Sequence, residues 1–251
     1  MVKRVVIIPT YNEKENIARI IEAVFGLSKP FHILVVDDGS PDGTAGIVED
    51  LRNKYPRSLF LMEREGKLGL GTAYIAGFRW GLEQGYDYLF EMDADFSHNP
   101  ADLVRLSEAC EERGADLAVG SRYVRGGSVK NWPWDRIFLS YGASLYVRAM
   151  TWMPIKDPTA GFICYARRVL EGIDLEKIRF VGYAFQIEMK FAAYSLGYQL
   201  EEVPITFVDR VEGTSKMNTS IVSEAILGVL QMRWQSFFNS YALTGAVKKV
   251  K

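Results

Sequence analysis

Short apolar runs alternate along the first half of the chain with segments in which apolar residues recur at helical spacing. Such continuous runs are typical of strands buried on both faces of a parallel sheet. The runs lie at 5–8, 33–36, 59–61, 88–90 and 117–119. Strands alternating with helices of this length predict βαβ units. We therefore expect an α/β fold with a mostly parallel central sheet flanked by helices.

The regular alternation of strands and helices changes after Arg122. The pattern indicates a loop at 126–134, a helix at 135–151, a strand at 162–165, a helix at 185–196, an edge strand at 203–207 and a helix at 220–238. Pro204 favours the edge position because proline lacks the ladder N–H. The only plausible boundary lies near 214–219. We expect one main domain at 1–217 and an amphipathic helix with a basic tail at 218–251.

Composition narrows the class of protein. The 251 residues are 48% hydrophobic and 24% charged, which is ordinary for a soluble domain. The formal net charge of −1 does not favour nucleic acid as a partner. The two cysteines, Cys110 and Cys164, have no metal-site spacing and fit a reducing compartment. Neither a signal peptide nor a spanning apolar stretch is visible, so we expect a cytoplasmic protein.

Polar loops follow three of the predicted strands. They contain residues 9–13, the pair Asp37-Asp38, and Asp93-Ala94-Asp95. In a parallel sheet these loops emerge at one edge, where ligands of α/β folds bind. An isolated Asp-x-Asp is more often a turn or a helix cap. Its position after a buried strand, beside two other polar loops, favours a divalent cation that holds a nucleotide diphosphate.

The same loops offer contacts for the rest of a nucleotide. Tyr11 can supply ring area, while Glu13 and Asp38 can accept hydrogen bonds from a base or ribose. Asp95, with Asp93 or a neighbour, can bind the metal. A dinucleotide fold would need Gly-x-Gly-x-x-Gly after the first strand, and a P-loop would need Gly-Lys-Ser/Thr. The segment 9–13 contains neither.

Several ordered motifs carry a family resemblance over roughly residues 3–218. Residues 6–13, 36–44 and 93–95 resemble the family-2 glycosyltransferases of the GT-A fold. A narrower resemblance, to the polyprenol- (dolichol-) phosphate mannose synthases, rests on 67–73, 93–98, 120–123, 157–162 and 182–188. It implies mannose transfer from GDP-mannose to a polyprenyl (dolichyl) monophosphate, with Mg²⁺ or Mn²⁺.

The resemblance also implies roles for individual residues. The nucleotide pocket would be lined by Pro9, Tyr11, Glu13, Val36 and Asp38. Asp93, Ala94 and Asp95 would hold the diphosphate and the metal, with Asp95 as the main ligand. The lipid phosphate would contact Arg122, Arg136 and Ser140. Lys67, Arg122, Arg210 and Lys216 would contact the nucleotide sugar, and the last two would close over its phosphates. Ser97 stands where some relatives have a metal-assisting Gln, which leaves the complete ligand set open.

The chemistry of the expected acceptor indicates the mechanism. A lipid monophosphate is already an anionic nucleophile, so it needs positioning by cations and no general base. We expect in-line attack with inversion and a β-linked product. One alternative is a UDP-sugar-dependent glucosyl or GlcNAc polyprenyl-phosphate synthase. Another is a non-catalytic nucleotide-sugar-binding protein, against which the intact Asp93-Ala94-Asp95 argues.

A lipid acceptor requires access to a membrane. Helices at about 136–153 and 220–238 are apolar and aromatic, and Lys248, Lys249 and Lys251 follow the second. Such helices can lie in the membrane interface, or they can pack on the core. We expect a peripheral protein at the cytoplasmic face of the membrane. In many relatives, additional membrane segments or small membrane subunits accompany the catalytic domain.

Overall fold

A seven-stranded sheet forms the centre of the computed structural model, which describes residues 2–182, 184–209 and 219–243. The strand order is β3-β2-β1-β4-β7-β5-β8, and every neighbouring pair is parallel except those that involve β7. The strands are β1 (Arg4–Thr10), β2 (His32–Asp37), β3 (Leu59–Glu63), β4 (Tyr88–Glu91), β5 (Leu117–Ser121), β7 (Ile163–Ala166) and β8 (Leu200–Pro204). A separate two-stranded ribbon pairs β6 (Ser128–Lys130) with β9 (Thr206–Val208) in parallel.

Helices pack on both faces of this sheet. They are α1 (Ile17–Phe25), α2 (Thr44–Lys54), α3 (Leu70–Glu83), α4 (Asp102–Glu111), α5 (Trp134–Thr151), α6 (Arg167–Gly172), α7 (Ala184–Ser195) and α8 (Thr219–Ser236). A 3₁₀ turn, Leu175–Lys177, lies between α6 and α7. Together with the parallel strands, these layers confirm the predicted α/β fold with a mostly parallel central sheet flanked by helices.

The alternating side chains of the central strands divide the core into two layers. In β1, Val5 and Ile7 join the layer that contains α3 and α7, while Val6 and Ile8 join the layer that contains α1 and α4. All four side chains are completely buried. The continuous apolar run therefore reflects burial on both faces, as expected for a central parallel strand.

Two details of the predicted order are wrong. The single edge strand expected at 203–207 is divided between β8, at the edge of the main sheet, and β9, in the ribbon. The loop expected at 126–134 contains β6, whose partner is β9. A strand of three residues gives no periodic signal, and its pairing joins residues that are far apart in the sequence.

Helix α8 packs against α5 and α7. Within the described ranges, no helix is both long enough and apolar enough to cross a membrane. The boundary predicted at 217/218 falls in 210–218 and the basic tail in 244–251, and both segments lie outside the described residues. The division into two parts stays a prediction.

Candidate active site

Hydrogen bonds hold the loops after β1 and β2 together. The two strands are paired in register, so Thr10 lies opposite Asp37. The Thr10 hydroxyl donates to the Asp37 carboxylate at 2.7 Å, and the Ser40 amide donates to the same carboxylate at 2.8 Å. Asp37 is fully buried, so this carboxylate has a structural role. Pro9 and Val36, assigned to the nucleotide pocket, are register partners on these strands.

The loop after β4 emerges at the same edge, because β4 pairs in parallel with β1. Asp95 is 6% exposed and accepts hydrogen bonds from the amide of Ser97 at 3.0 Å and from its hydroxyl. Ala94 is buried, and Asp93 is half-buried. The Val208 amide donates to the Ser97 carbonyl at 3.1 Å, so strand β9 braces this loop.

A fourth loop, between β3 and α3, closes the site from the side of β3. The Lys67 ammonium lies 4.9 Å from the centre of the Tyr11 ring, a cation–π distance. The Arg64 guanidinium donates to the Asp38 carboxylate at 2.7 Å through Nε, and the Leu68 amide donates to the same carboxylate at 3.2 Å. The loops that carry Tyr11, Asp38 and Asp95 therefore share one edge of the sheet.

The pairing of Asp38 bears on its predicted role. Its two carboxylate oxygens accept from Arg64 and from the Leu68 amide. Oδ1 accepts from both Nε and Nη2 of Arg64, whereas Oδ2 accepts from the Leu68 amide and keeps a lone pair that a base or ribose donor can use. Glu13, the other expected acceptor, receives a hydrogen bond from Asn16 at 3.2 Å. Both assignments stay predictions.

The donor atoms of the β4 loop fit a hard divalent cation. Asp93 and Asp95 provide carboxylate oxygens, which Mg²⁺ and Mn²⁺ favour. In the described part of the chain, no group of three Asp, Glu, His or Cys residues is arranged to hold a metal. That is compatible with a nucleotide metal site, where one or two carboxylates bind a cation and substrate phosphates complete its shell.

Arg122, at the end of β5, is held by a buried ion pair. Its Nε and Nη2 donate to the two oxygens of Asp157, each at 2.7 Å, and Nη2 also donates to Thr159 at 2.8 Å. Burial alone would lower the pKa of Arg122, but the Asp157 carboxylate raises it above its ordinary value. The guanidinium is therefore a fixed cation, oriented by Asp157.

Arg136 and Ser140 lie one turn apart on α5. The Nη1 of Arg136 donates to both oxygens of Asp209 at 2.9 Å. Ser140 accepts a hydrogen bond from the Tyr123 hydroxyl at 2.8 Å, and Tyr123 directly follows Arg122. The three residues assigned to the lipid phosphate therefore belong to one connected region. The predicted contacts of Arg210 and Lys216 lie outside the described residues.

Comparison with known proteins identifies the family. The family model described as glycosyl transferase family 2 matches residues 5–173, which is more than half of the chain. The chain belongs to glycosyl transferase family 2.

Two relatives narrow the likeness within that family. A polyprenol monophosphomannose synthase of Mycolicibacterium smegmatis is 50% identical over 91% of this chain and 86% of its own length. An undecaprenyl-phosphate mannosyltransferase of Micrococcus luteus is 48% identical over 91% of this chain and 95% of its own length. The narrower resemblance to polyprenol-phosphate mannose synthases is thereby confirmed.

A solved structure shares the fold of this glycosyltransferase. It is a mannosyltransferase of Pyrobaculum calidifontis in complex with GDP-Man and Mn²⁺. The TM-score is 0.58 at 18% identity, over 97% of this chain and 67% of that one. At this identity, the likeness supports the fold alone.

Two buried charged residues lie behind the glycosyltransferase site. Glu91, at the end of β4, and Lys190, on α7, are completely buried. Burial raises the pKa of Glu91 to about 8 and lowers that of Lys190 to about 7, and each charge opposes the shift of the other. The Lys190 ammonium donates to the Ala160 carbonyl at 2.6 Å. Lys190 therefore anchors the loop that also carries Asp157.

Sequence reasoning missed three residues that organise this site: Arg64, Asp157 and Lys190. Asp157 belongs to a motif that carries the resemblance, but its pairing with Arg122 spans 35 residues. Lys190 lies 30 residues from its carbonyl partner. The available signal for Lys190 was its charge within an apolar helical pattern, because a buried charged group requires a partner.

Proposed function

We propose that this glycosyltransferase transfers mannose from GDP-mannose to a polyprenyl (dolichyl) monophosphate with inversion, giving a β-linked polyprenyl phosphate mannose. One observation carries the proposal: the polar loops after β1, β2 and β4 share one edge of the sheet, next to Arg122 and Arg136. A carboxylate pair for the donor and guanidinium groups for an anionic acceptor thus belong to one site. The names of the relatives support mannose and a polyprenyl phosphate.

On the donor side, the site must bind the nucleotide and neutralise the charge of its diphosphate. A divalent cation at Asp93 and Asp95 would neutralise charge on the diphosphate leaving group. Lys67, beside Tyr11, contributes a side-chain cation near the same loops. Arg210 and Lys216 are proposed to close over the phosphates. Tyr11, Glu13 and Asp38 are proposed to contact the guanosine.

On the acceptor side, the site must orient the lipid phosphate for attack. A phosphate monoester oxygen attacks the sugar carbon, and the nucleotide diphosphate leaves from the opposite face. Because the nucleophile is already anionic, no side chain has to remove a proton. Arg122 and Arg136 would align the phosphate, since guanidinium groups match its oxygens in a planar fork. Ser140 would donate one hydroxyl hydrogen bond.

Membrane association is part of the proposal, because the acceptor is a lipid. Helices α5 and α8 pack together and expose large aromatic side chains. Trp134 and Phe138 of α5 are 85% and 82% exposed, while Trp234 of α8 and the following Phe238 are 67% and 72% exposed. Aromatic residues of this kind favour the membrane interface. We infer peripheral binding at the cytoplasmic face of the membrane.

A donor comparison tests the proposal. Purified protein, Mg²⁺ or Mn²⁺ and polyprenyl phosphate are incubated with labelled GDP-mannose, UDP-glucose or UDP-GlcNAc. We expect a lipid-soluble product from GDP-mannose, with a β anomeric configuration by NMR. A product from a UDP-sugar alone would support the glucosyl or GlcNAc alternative, and an α-linked product would contradict inversion. Nucleotide-sugar binding without product in any arm would indicate a non-catalytic protein.

A further inference from the structure

Trp132 occupies a fixed position between the ribbon and α5. It follows β6 directly after Asn131, whose φ of 64° is the left-handed conformation that asparagine tolerates. The indole ring contacts Phe207 of β9 edge to face, with ring centres 5.3 Å apart at an interplanar angle of 67°. The end of β6 and the Phe207 ring of β9 therefore position this indole.

Both arginines assigned to the acceptor phosphate lie against this ring. The guanidinium carbon of Arg136 is 4.2 Å from the ring centre, and that of Arg122 is 5.6 Å away. Both distances are within cation–π range. Each arginine also has a carboxylate partner, Asp209 or Asp157, so the two cations are held beside one another around a shared aromatic surface.

The indole also carries a donor group. Nε1 of Trp132 is buried and has no hydrogen-bond partner within the described ranges. Leaving such a group unsatisfied is costly, and an anion bound between the two arginines would satisfy it. We propose that Trp132 is a third acceptor-site residue: its ring orients Arg122 and Arg136, and its Nε1–H donates to the phosphate of the polyprenyl acceptor. This inference rests on the acceptor assigned in the proposed function.

Trp132→Phe tests the donor role because it retains an aromatic ring and removes the N–H. We expect the KM for polyprenyl phosphate to rise about tenfold or more, as for loss of one hydrogen bond to a charged group. The KM for GDP-mannose should stay within about twofold, because Trp132→Phe retains the aromatic ring that orients Arg122. Trp132→Ala, which also removes the ring, should raise the acceptor KM further.

Trp80→Phe provides the matched control. Trp80 packs on Phe60 and Tyr86, away from the arginines, and its replacement should leave the acceptor KM unchanged. An unchanged acceptor KM in Trp132→Phe would overturn the inference. Equal increases in the acceptor and donor KM values would also overturn it, because they would indicate general loosening of the site.

A direct measurement of acceptor binding tests the role of Trp132 independently of the proposed function. Farnesyl phosphate is titrated into each variant and followed by ³¹P NMR, without any sugar donor. Weaker binding by Trp132→Phe than by the wild type supports the role of Trp132, even if GDP-mannose proves to be the wrong donor. Equal binding contradicts that role, while wild-type transfer from GDP-mannose would leave the proposed function intact.

Discussion

At the scale of single residues, Arg122 depends on its carboxylate partner, Asp157. The Arg122 side chain is 9% exposed, and that of Asp157 is completely buried. Removing one member of such a pair leaves an uncompensated buried charge. Substitution of Arg122 therefore affects folding as well as acceptor binding, and the two effects have to be measured separately.

We predict that Arg122→Ala costs about 3–5 kcal/mol in the free energy of unfolding, because Asp157 remains buried without its partner. Arg122→Lys should cost less, because it keeps the charge, but it should still raise the acceptor KM because it lacks the bidentate fork. Urea unfolding and acceptor kinetics of both variants check this. Wild-type stability in Arg122→Ala would contradict the buried ion pair.

Asp157 should also make stability depend on pH. Burial alone would raise its pKa, but Arg122 lowers it below its ordinary value. The Asp157 carboxyl therefore binds a proton more readily in the unfolded chain than in the folded protein. The stability that ionised Asp157 contributes is complete above about pH 4 and is lost as pH falls through the lower folded pKa. We predict that the stability difference between wild type and Asp157→Asn shrinks as pH decreases from 5 to 3. A difference that grows over this range would contradict the assigned shift.

At the scale of elements, close packing of α3 on the sheet requires small residues. A Cβ added at Gly77 would lie 2.6 Å from the Ile7 side chain of β1, which is completely buried. The middle of β1 therefore requires glycine at this position of the helix. By contrast, a Cβ at Gly46 of α2 would meet nothing within 4 Å.

Gly77→Ala should consequently destabilise the protein by about 1–3 kcal/mol through overpacking. Gly46→Ala, the matched control, should stabilise it by about 0.5–1 kcal/mol, because alanine favours the helix. Chemical denaturation of the two variants measures both effects. Equal effects of the two substitutions would mean that α3 does not approach β1 as closely as described.

The elements also show how much of the fold could be predicted from the sequence. The apolar runs at 5–8 and 33–36 located β1 and β2 to within two residues, because burial on both faces leaves a continuous signal. The strand at 162–165 was found as well. Its antiparallel insertion between β4 and β5 could not be predicted, since that position depends on pairing between distant segments.

The residues of the candidate site could likewise be predicted only in part from the sequence. Asp93, Asp95, Tyr11 and Asp38 could be proposed because each lies in a loop directly after a predicted strand. The partners that orient the site could not, since Arg64 reaches Asp38 across 26 residues and Arg122 reaches Asp157 across 35. A local pattern indicates where a loop begins but contains no information about which distant side chain will pair with it.

At the scale of the whole molecule, the residues proposed to bind the acceptor lie on a helix that also presents an apolar surface. Helix α5 carries Arg136 and Ser140 as well as the exposed Trp134 and Phe138. Helix α8 packs beside it, with Val229 and Met232 directed into the core. The arrangement would allow a lipid phosphate to reach the arginines while its chain stays in the membrane.

We predict that replacing Trp234, Phe237 and Phe238 together by Ala weakens sedimentation with anionic liposomes at least about tenfold, because three large apolar side chains are lost from the interface. Turnover of a short, water-soluble acceptor phosphate should change little. Val2→Ala, an exposed position before β1, is the control. Undiminished liposome binding by the triple variant would exclude this surface as the anchor.

We propose that the acidic loop after β4 holds the donor diphosphate through a divalent cation. This central claim is tested most directly by transfer of labelled mannose from GDP-mannose to polyprenyl phosphate, using wild type, Asp95→Ala and the exposed control Asp50→Ala. We predict that EDTA abolishes wild-type transfer and Mg²⁺ or Mn²⁺ restores it. The rate of transfer by Asp95→Ala should fall about a hundredfold or more, while the variant remains folded. Transfer at the wild-type rate by Asp95→Ala, or by chelated wild type, would contradict the claim.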